Sequence, residues 1–266
     1  VYSEGNNHWW YCGLTDGNYA QIISPAPPKE PLLVAFDLLK MHPLQMDAGM
    51  GDPGMFFRGA PHNLEQYIAT KLAYGHIGFA SWGSQSGLMK TYYMLQALQK
   101  HYVMVPVVRI EYDDGGTLVD TSDALISGAY AEGRVHVVYG NGTEVYVNAS
   151  ERPWAVTLRG ESLELPQWGW AAAGGTGQDM AVSYSALVAV AGKTGPRRRV
   201  DESISHGQSY LDSRGGYVRT GTLAGQGSAA LKTEDGVPWV IPADSFTDFG
   251  FIPEIAGFGV GKDIAA

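Results

Sequence analysis

The sequence predicts two successive architectures, α/β in front and all-β behind. They are a partial (β/α)8-type barrel segment over residues 1–112 and an antiparallel β-sandwich over residues 113–266. Three observations predict this. The runs LLVAF (Leu32 to Phe36) and HIGFASW (His76 to Trp82) are continuously apolar, as strands buried on both faces must be. Segments of helical spacing follow each of them, which is the βα repeat of a parallel sheet. From Met104 onward the apolar residues alternate in short runs separated by turn residues, the pattern of an antiparallel sandwich.

Taken in order, VYSEGNNHWWY opens as the end of a strand that delivers Glu4 into a Gly-Asn-Asn turn flanked by His8, Trp9 and Trp10. LLVAF is closed by Asp37. The stretch after it, MHPLQMDAGMGDPGMFFRGAPH, reads as a long irregular loop of the kind that often carries function. A helix is expected from about Asn63 to Ala73. Asn63 is its cap, Leu64, Tyr67, Ile68 and Leu72 form one face, and Gly75 stops it. After HIGFASW a longer helix is expected over about Ser86 to Tyr102, with Leu88, Tyr92, Leu95, Leu98 and Tyr102 on its buried face.

MVPVVRIEY reads as a strand. The tetrad Asp113-Asp114-Gly115-Gly116 reads as the turn that divides the two domains. RVHVVYGNGTEVYVN is the clearest hairpin, two alternating runs joined across Gly140-Asn141-Gly142. WAVTL, AVSYSALVAV, the segment around Gly216-Tyr217-Val218, AALKT and VPWVIP follow as further strands. A complete eight-fold barrel needs roughly 250 residues, so the front part is expected to be the closing piece of a barrel.

Composition narrows the function. With a net charge of −9 the chain repels phosphate backbones, so nucleic acid is not an expected partner. Cys12 is the only cysteine, which excludes an internal disulfide and a cysteine zinc site. No apolar run approaches the roughly 18 residues of a membrane helix. Arg197-Arg198-Arg199, the only basic run, reads as a solvated strand edge or turn.

Chemistry is sought at strand ends, where α/β barrels carry their catalytic residues. Glycoside cleavage needs two carboxyl groups, one to protonate the leaving oxygen and one to attack or to activate water. Glu4 and Asp37 hold the two expected strand-tip positions. A helix cap or a strand-ending turn is the structural alternative for each. His8 and His42 are placed to bind sugar hydroxyls, and Trp9, Trp10 and Trp82 to stack on sugar rings; core packing is the alternative for each indole. No ligand spacing for a metal is present around His42, Asp47 and Asp52. Gly49 to Gly54 has the form of a dinucleotide fingerprint, but Asp52 and Pro53 spoil it. No Gly-x-Ser-x-Gly elbow occurs, and no cofactor is expected.

The order SEG, HWWYCGLTDG, FDLLKMHPLQMDAGMGDPG, HNLEQYIATKLAYGHIGF, KTYYMLQALQKHY and then a β-rich tail resembles the C-terminal half of large bacterial glycoside hydrolase-like proteins. The resemblance runs over roughly Val1 to Tyr217. It implies a catalytic barrel followed by a β-sandwich, carbohydrate as partner, Glu4 and Asp37 as strand-tip acids, and an extracytoplasmic or secreted location. It also implies that the earlier barrel units are absent, and that another chain or copy completes the barrel. A non-catalytic carbohydrate-binding or structural accessory protein is the alternative reading.

Overall fold

A computed structural model describes residues 2–4, 17–19, 63–75, 78, 84–189, 197–219, 223–243 and 248–251. In chain order the strands and helices are β1 (Tyr2–Glu4), β2 (Gly17–Tyr19), α1 (Asn63–Tyr74), α2 (Gln85–Tyr102), β3 (Val107–Asp114), β4 (Thr117–Asp120) and α3 (Thr121–Ser127). Then come β5 (Arg134–Tyr139), β6 (Glu144–Asn148), β7 (Trp154–Leu158), β8 (Glu161–Leu165), β9 (Gly169–Gly174) and β10 (Ala181–Val188). The last are β11 (Arg198–Ser205), β12 (Gln208–Asp212), β13 (Val218–Arg219), β14 (Leu223–Gln226), β15 (Ser228–Glu234), β16 (Val237–Pro242) and β17 (Asp248–Phe251).

The protein is mostly antiparallel sheet with few helices. One twelve-stranded sheet runs in the order β16-β15-β12-β11-β10-β9-β6-β5-β3-β4, with β8 joining at β10 and β7 pairing with β8. A small three-stranded sheet, β13-β14-β17, stands apart from it. β1 and β2 form a separate pair and are parallel, with Glu4 opposite Tyr19. Parallel neighbours cannot be joined by a tight turn, so this pair differs in kind from the hairpins behind it.

The core has a simple layered origin. α1 and α2 lie on one face of the large sheet, where Tyr67, Ile68, Leu72, Met94, Leu95, Leu98 and Tyr102 pack on Val135, Val137, Val145, Val147, Trp170 and Ala172. The β7–β8 hairpin doubles back over the opposite face. There Trp154, Val156, Leu158 and Leu165 pack on Ala171, Ala173 and Ala186. Side chains alternate across a strand, so Gly169–Gly174 sends Trp170 and Ala172 towards the helices and Ala171 and Ala173 towards the hairpin. Both faces are covered, and every residue of β9 is buried. Small side chains there let two layers approach closely.

Local signals account for the element ends. Gly75 has a left-handed φ of +65° and its N–H returns to the Leu72 carbonyl, so α1 stops there as expected. Ser84 caps α2 by accepting from the Gly87 N–H at 3.0 Å. The β5–β6 hairpin forms across Gly140-Asn141-Gly142 with Val137 opposite Val145.

The structure differs from expectation at several points. The buried face of α2 holds Met89, Lys90, Thr91, Met94, Leu95, Leu98, His101 and Tyr102, whereas Leu88 and Tyr92 are exposed. The face is turned because the sheet offers carboxylates beneath Lys90. Asp113-Asp114-Gly115-Gly116 is the turn of the β3–β4 hairpin inside the large sheet, and β3 runs unbroken across the position expected to divide the chain. The arginine triplet does not lie on a sheet edge. β11 is an interior strand between β10 and β12, and each arginine is engaged. Arg197 pairs with Glu164, Arg198 lies against Gly216 where a Cβ would collide with it, and Arg199 donates to the carbonyls of Gln167 and Trp168.

Candidate functional site

Glu4 is the C-terminal residue of β1, at the end of a parallel pair. That is the backbone setting expected of a strand-tip acid. Asp37, His8, Trp9, Trp10, His42 and Trp82 lie outside the described residues, as do the LLVAF strand and the long loop after it.

Behind that segment the described residues contain a second constellation, which the sequence did not reveal. Six charged side chains, three of each sign, meet where α1 and α2 cross β11 and β12. Lys90 of α2 reaches Asp201 of β11 at 2.7 Å, Asp212 of β12 at 2.9 Å and Glu65 of α1 at 3.5 Å. Arg214 donates to Glu65 at 2.7 Å and to Asp201 at 2.7 and 3.0 Å. Arg199 and the Ser185 hydroxyl complete the site. Arg199 donates to Ser185 at 2.8 Å, and Ser185 donates to Asp201 at 2.5 Å.

Register explains the convergence. Ser185, Asp201, Asp212 and Ser228 stand opposite one another on β10, β11, β12 and β15, so they form one transverse row under the helices. Arg214 adopts a left-handed backbone, φ +53°, in the turn after β12. Non-glycine residues rarely do so.

Electrostatics follows from this packing. Burial alone would raise the Asp201 carboxyl, but Lys90, Arg214 and Arg199 outweigh it and hold the group far below the ordinary carboxylate range. Burial likewise opposes ionisation of Glu65, and Arg214 and Lys90 reverse it to a lowered pKa. Burial would depress the Lys90 ammonium, and Asp201 and Asp212 raise it instead. All six groups are therefore charged across the neutral range. The network fills its own hydrogen-bonding capacity, so its chemistry is that of a fixed joint between the helices and the sheet.

A smaller polar row lies on the opposite face. His136 of β5 is buried and stacks on Tyr146 of β6 with ring centroids 4.0 Å apart. Its Nδ1 is 3.0 Å from Glu111 and its Nε2 3.7 Å from Glu144. Of the aromatics in the β-rich part, Trp170 and Trp154 are buried and Trp168 is partly buried, as packing residues should be. Trp239 is not a core residue. It is 39% exposed on the terminal strand β16, with Val237 and Ile241 on the same face and Lys232 opposite it on β15.

Among the described residues an open pocket of about 360 Å³ is lined by Gly177, Gln178, Met180, Ile204, His206 and Gly207. It holds no carboxylate, so paired-acid chemistry does not belong there. The described residues also contain no group of three or more His, Cys, Asp or Glu arranged to hold a metal ion, and no helix long and apolar enough to cross a membrane. No family model matches the chain, and no match to it was found among curated proteins or solved structures.

Proposed function

We propose that the chain is a glycoside hydrolase-like protein, or a portion of one, that acts on O-glycosidic bonds of a poly- or oligosaccharide with paired carboxylates. The observation that carries this reading is the parallel β1–β2 pair with Glu4 at its C-terminal end. Two further features support it. α1 is buried around most of its circumference, as a helix inside a larger body is. The antiparallel sheet is joined to α1 and α2 through shared core and buried charge.

In this reading α1 and α2 belong to the barrel portion, and the large sheet with its β7–β8 overlay is the sandwich that braces them. Glu4 protonates the glycosidic oxygen. Asp37, or a carboxylate outside this chain, attacks the anomeric carbon or activates water, and His8, His42 and the indoles of Trp9, Trp10 and Trp82 hold the sugar. A carboxyl separation of about 5 Å gives retention and roughly 6.5–9.5 Å gives inversion.

Glu4→Gln keeps the shape and removes the acid. Turnover of aryl glycosides should fall about 10²–10⁴-fold, with binding of the intact glycan retained. Equal rates for Glu4→Gln and wild type would remove Glu4 from the chemistry.

A second reading, a non-catalytic carbohydrate-binding accessory protein, is favoured by Trp239. The Ala243 N–H points to Ser228 of β15, so Trp239 and Ile241 also face that neighbour along the backbone, while Pro238, Val240 and Pro242 face outward. The two prolines deprive the edge of donors, which discourages pairing with another strand. An exposed indole beside an ammonium is left, suited to stacking on a sugar. Trp239→Ala should weaken retention on a polysaccharide gel roughly tenfold, about the value of one aromatic contact. Unchanged mobility across a glycan panel would discard this reading.

A further inference from the structure

His136 sits in the middle of an alternating chain of charge. On β3, Arg109 lies 3.2 Å from Glu111, and Glu111 lies 3.0 Å from Nδ1 of His136. On β6, Glu144 faces Nε2 at 3.7 Å, and its other oxygen lies 3.6 Å from Arg159 in the β7–β8 turn. Tyr146 of β6 covers the imidazole ring and meets Trp154 of β7 edge-on. One step along the same face, Arg134 is occupied by Asp113 at 2.9 Å.

A carboxylate only accepts, so Nδ1 carries the proton shared with Glu111. In the neutral ring Nε2 is then an acceptor, and it is buried without a hydrogen-bond partner and faces a second carboxylate. The ring lacks one proton, and adding it changes the allegiance of Glu144.

Arg159 is the other claimant on Glu144. Its guanidinium also donates to the carbonyls of Gly142 and Gly175 at 3.4 Å each, so it ties the tip of the hairpin to the end of the sheet. With His136 neutral, Arg109 and Arg159 balance Glu111 and Glu144. With His136 charged, three cations share two anions, and the exposed Arg159 is the one free to leave.

We propose that His136 is a proton-operated latch: its protonation draws Glu144 onto Nε2 and releases Arg159, which frees the tip of the β7–β8 hairpin from the sheet. Burial holds the imidazole below its usual range against the pull of Glu111 and Glu144, so the latch stays closed at neutral pH and opens in acid. The sign agrees with linkage. A histidine lowered on folding is protonated first in the unfolded chain, so its contribution is present above about pH 6.5 and is lost below it.

The test is amide hydrogen exchange of residues 157–162 in the full-length chain, at pH 7.5 and pH 5.0, corrected for intrinsic rates. Wild type should lose about tenfold protection at the lower pH, the effect of about one unit of differential protonation. His136→Gln, which still donates to Glu111 and does not titrate in this range, should show no such change. Glu144→Gln, at the rim of the site, should leave the tip equally open at both pH values. If His136→Gln fails to fold, Glu144→Gln carries the test alone. A wild-type tip with the same protection at both pH values, or a response that persists in either variant, overturns the proposal.

Discussion

Replacing Asp201 by Ala is expected to lower the unfolding free energy by about 3–5 kcal/mol, the usual effect of stranding one partner of a buried ion pair. Asp201 is fully buried and receives Lys90, Arg214 and Ser185. Its removal leaves Lys90, Arg199 and Arg214 facing only Glu65 and Asp212. In a chain of this size each kcal/mol moves the midpoint by about 2–4 °C, so thermal unfolding should shift down by about ten degrees.

Lys90→Met alone should also destabilise, because it strands the carboxylates instead. The double variant should lose less than the two single effects together, with a coupling of about 0.5–3 kcal/mol for residues in direct contact. The pH dependence has a definite sign. Asp201 and Glu65 are held below their unfolded values, so their contribution is complete above about pH 4–5 and is lost as pH falls further. Lys90 is raised, so its contribution is present below about pH 10 and is lost above it. Stability measured by urea melts should form a plateau between those limits, and Asp201→Ala should lower the plateau.

The second large effect is expected at Trp170. Its ring is fully buried in the core shared by sheet and helices, and its indole N–H donates to the Ser183 hydroxyl at 3.0 Å. Trp170→Ala opens a cavity and should cost about 3–5 kcal/mol. Trp170→Phe keeps most of the ring and loses the hydrogen bond, for about 1 kcal/mol. Denaturant midpoints at constant slope read both. Equal effects from the two substitutions would mean that the layer does not depend on the volume of this ring.

How much of this was legible in the sequence follows from where each signal is local. The β5–β6 hairpin is written in strict alternation around Gly-Asn-Gly. α1 is written in Leu64, Tyr67, Ile68, Leu72 and the stop at Gly75. The span of α2 was legible, but its buried face was not. Lys90 and Thr91 read as solvent residues until Asp201 and Asp212, more than a hundred positions later, are placed beneath them.

β9 and β11 escaped for opposite reasons. GWAAAG has no β-branched residue, because it is squeezed between two layers and needs small side chains. RRVDESIS looks like a solvated edge, because its charges are satisfied by residues from other strands and helices. The same holds for the six-charge joint. Its members come from positions 65, 90, 199, 201, 212 and 214, and no spacing rule links them. Glu4 was legible as the end of a strand, and β1 ends there. Asp37 and the aromatic platforms lie outside the described residues.

The proposed brace requires that α1 and α2 open together with the sheet they lie on. Native-state hydrogen exchange in a denaturant series measures this directly. The buried turns of α1 and α2 should converge with β9, β10 and β11 on one opening free energy and one denaturant slope. Helical amides that open at a distinctly lower free energy, while the strands stay protected, would show that the helices are merely lodged against the sheet and would contradict the account.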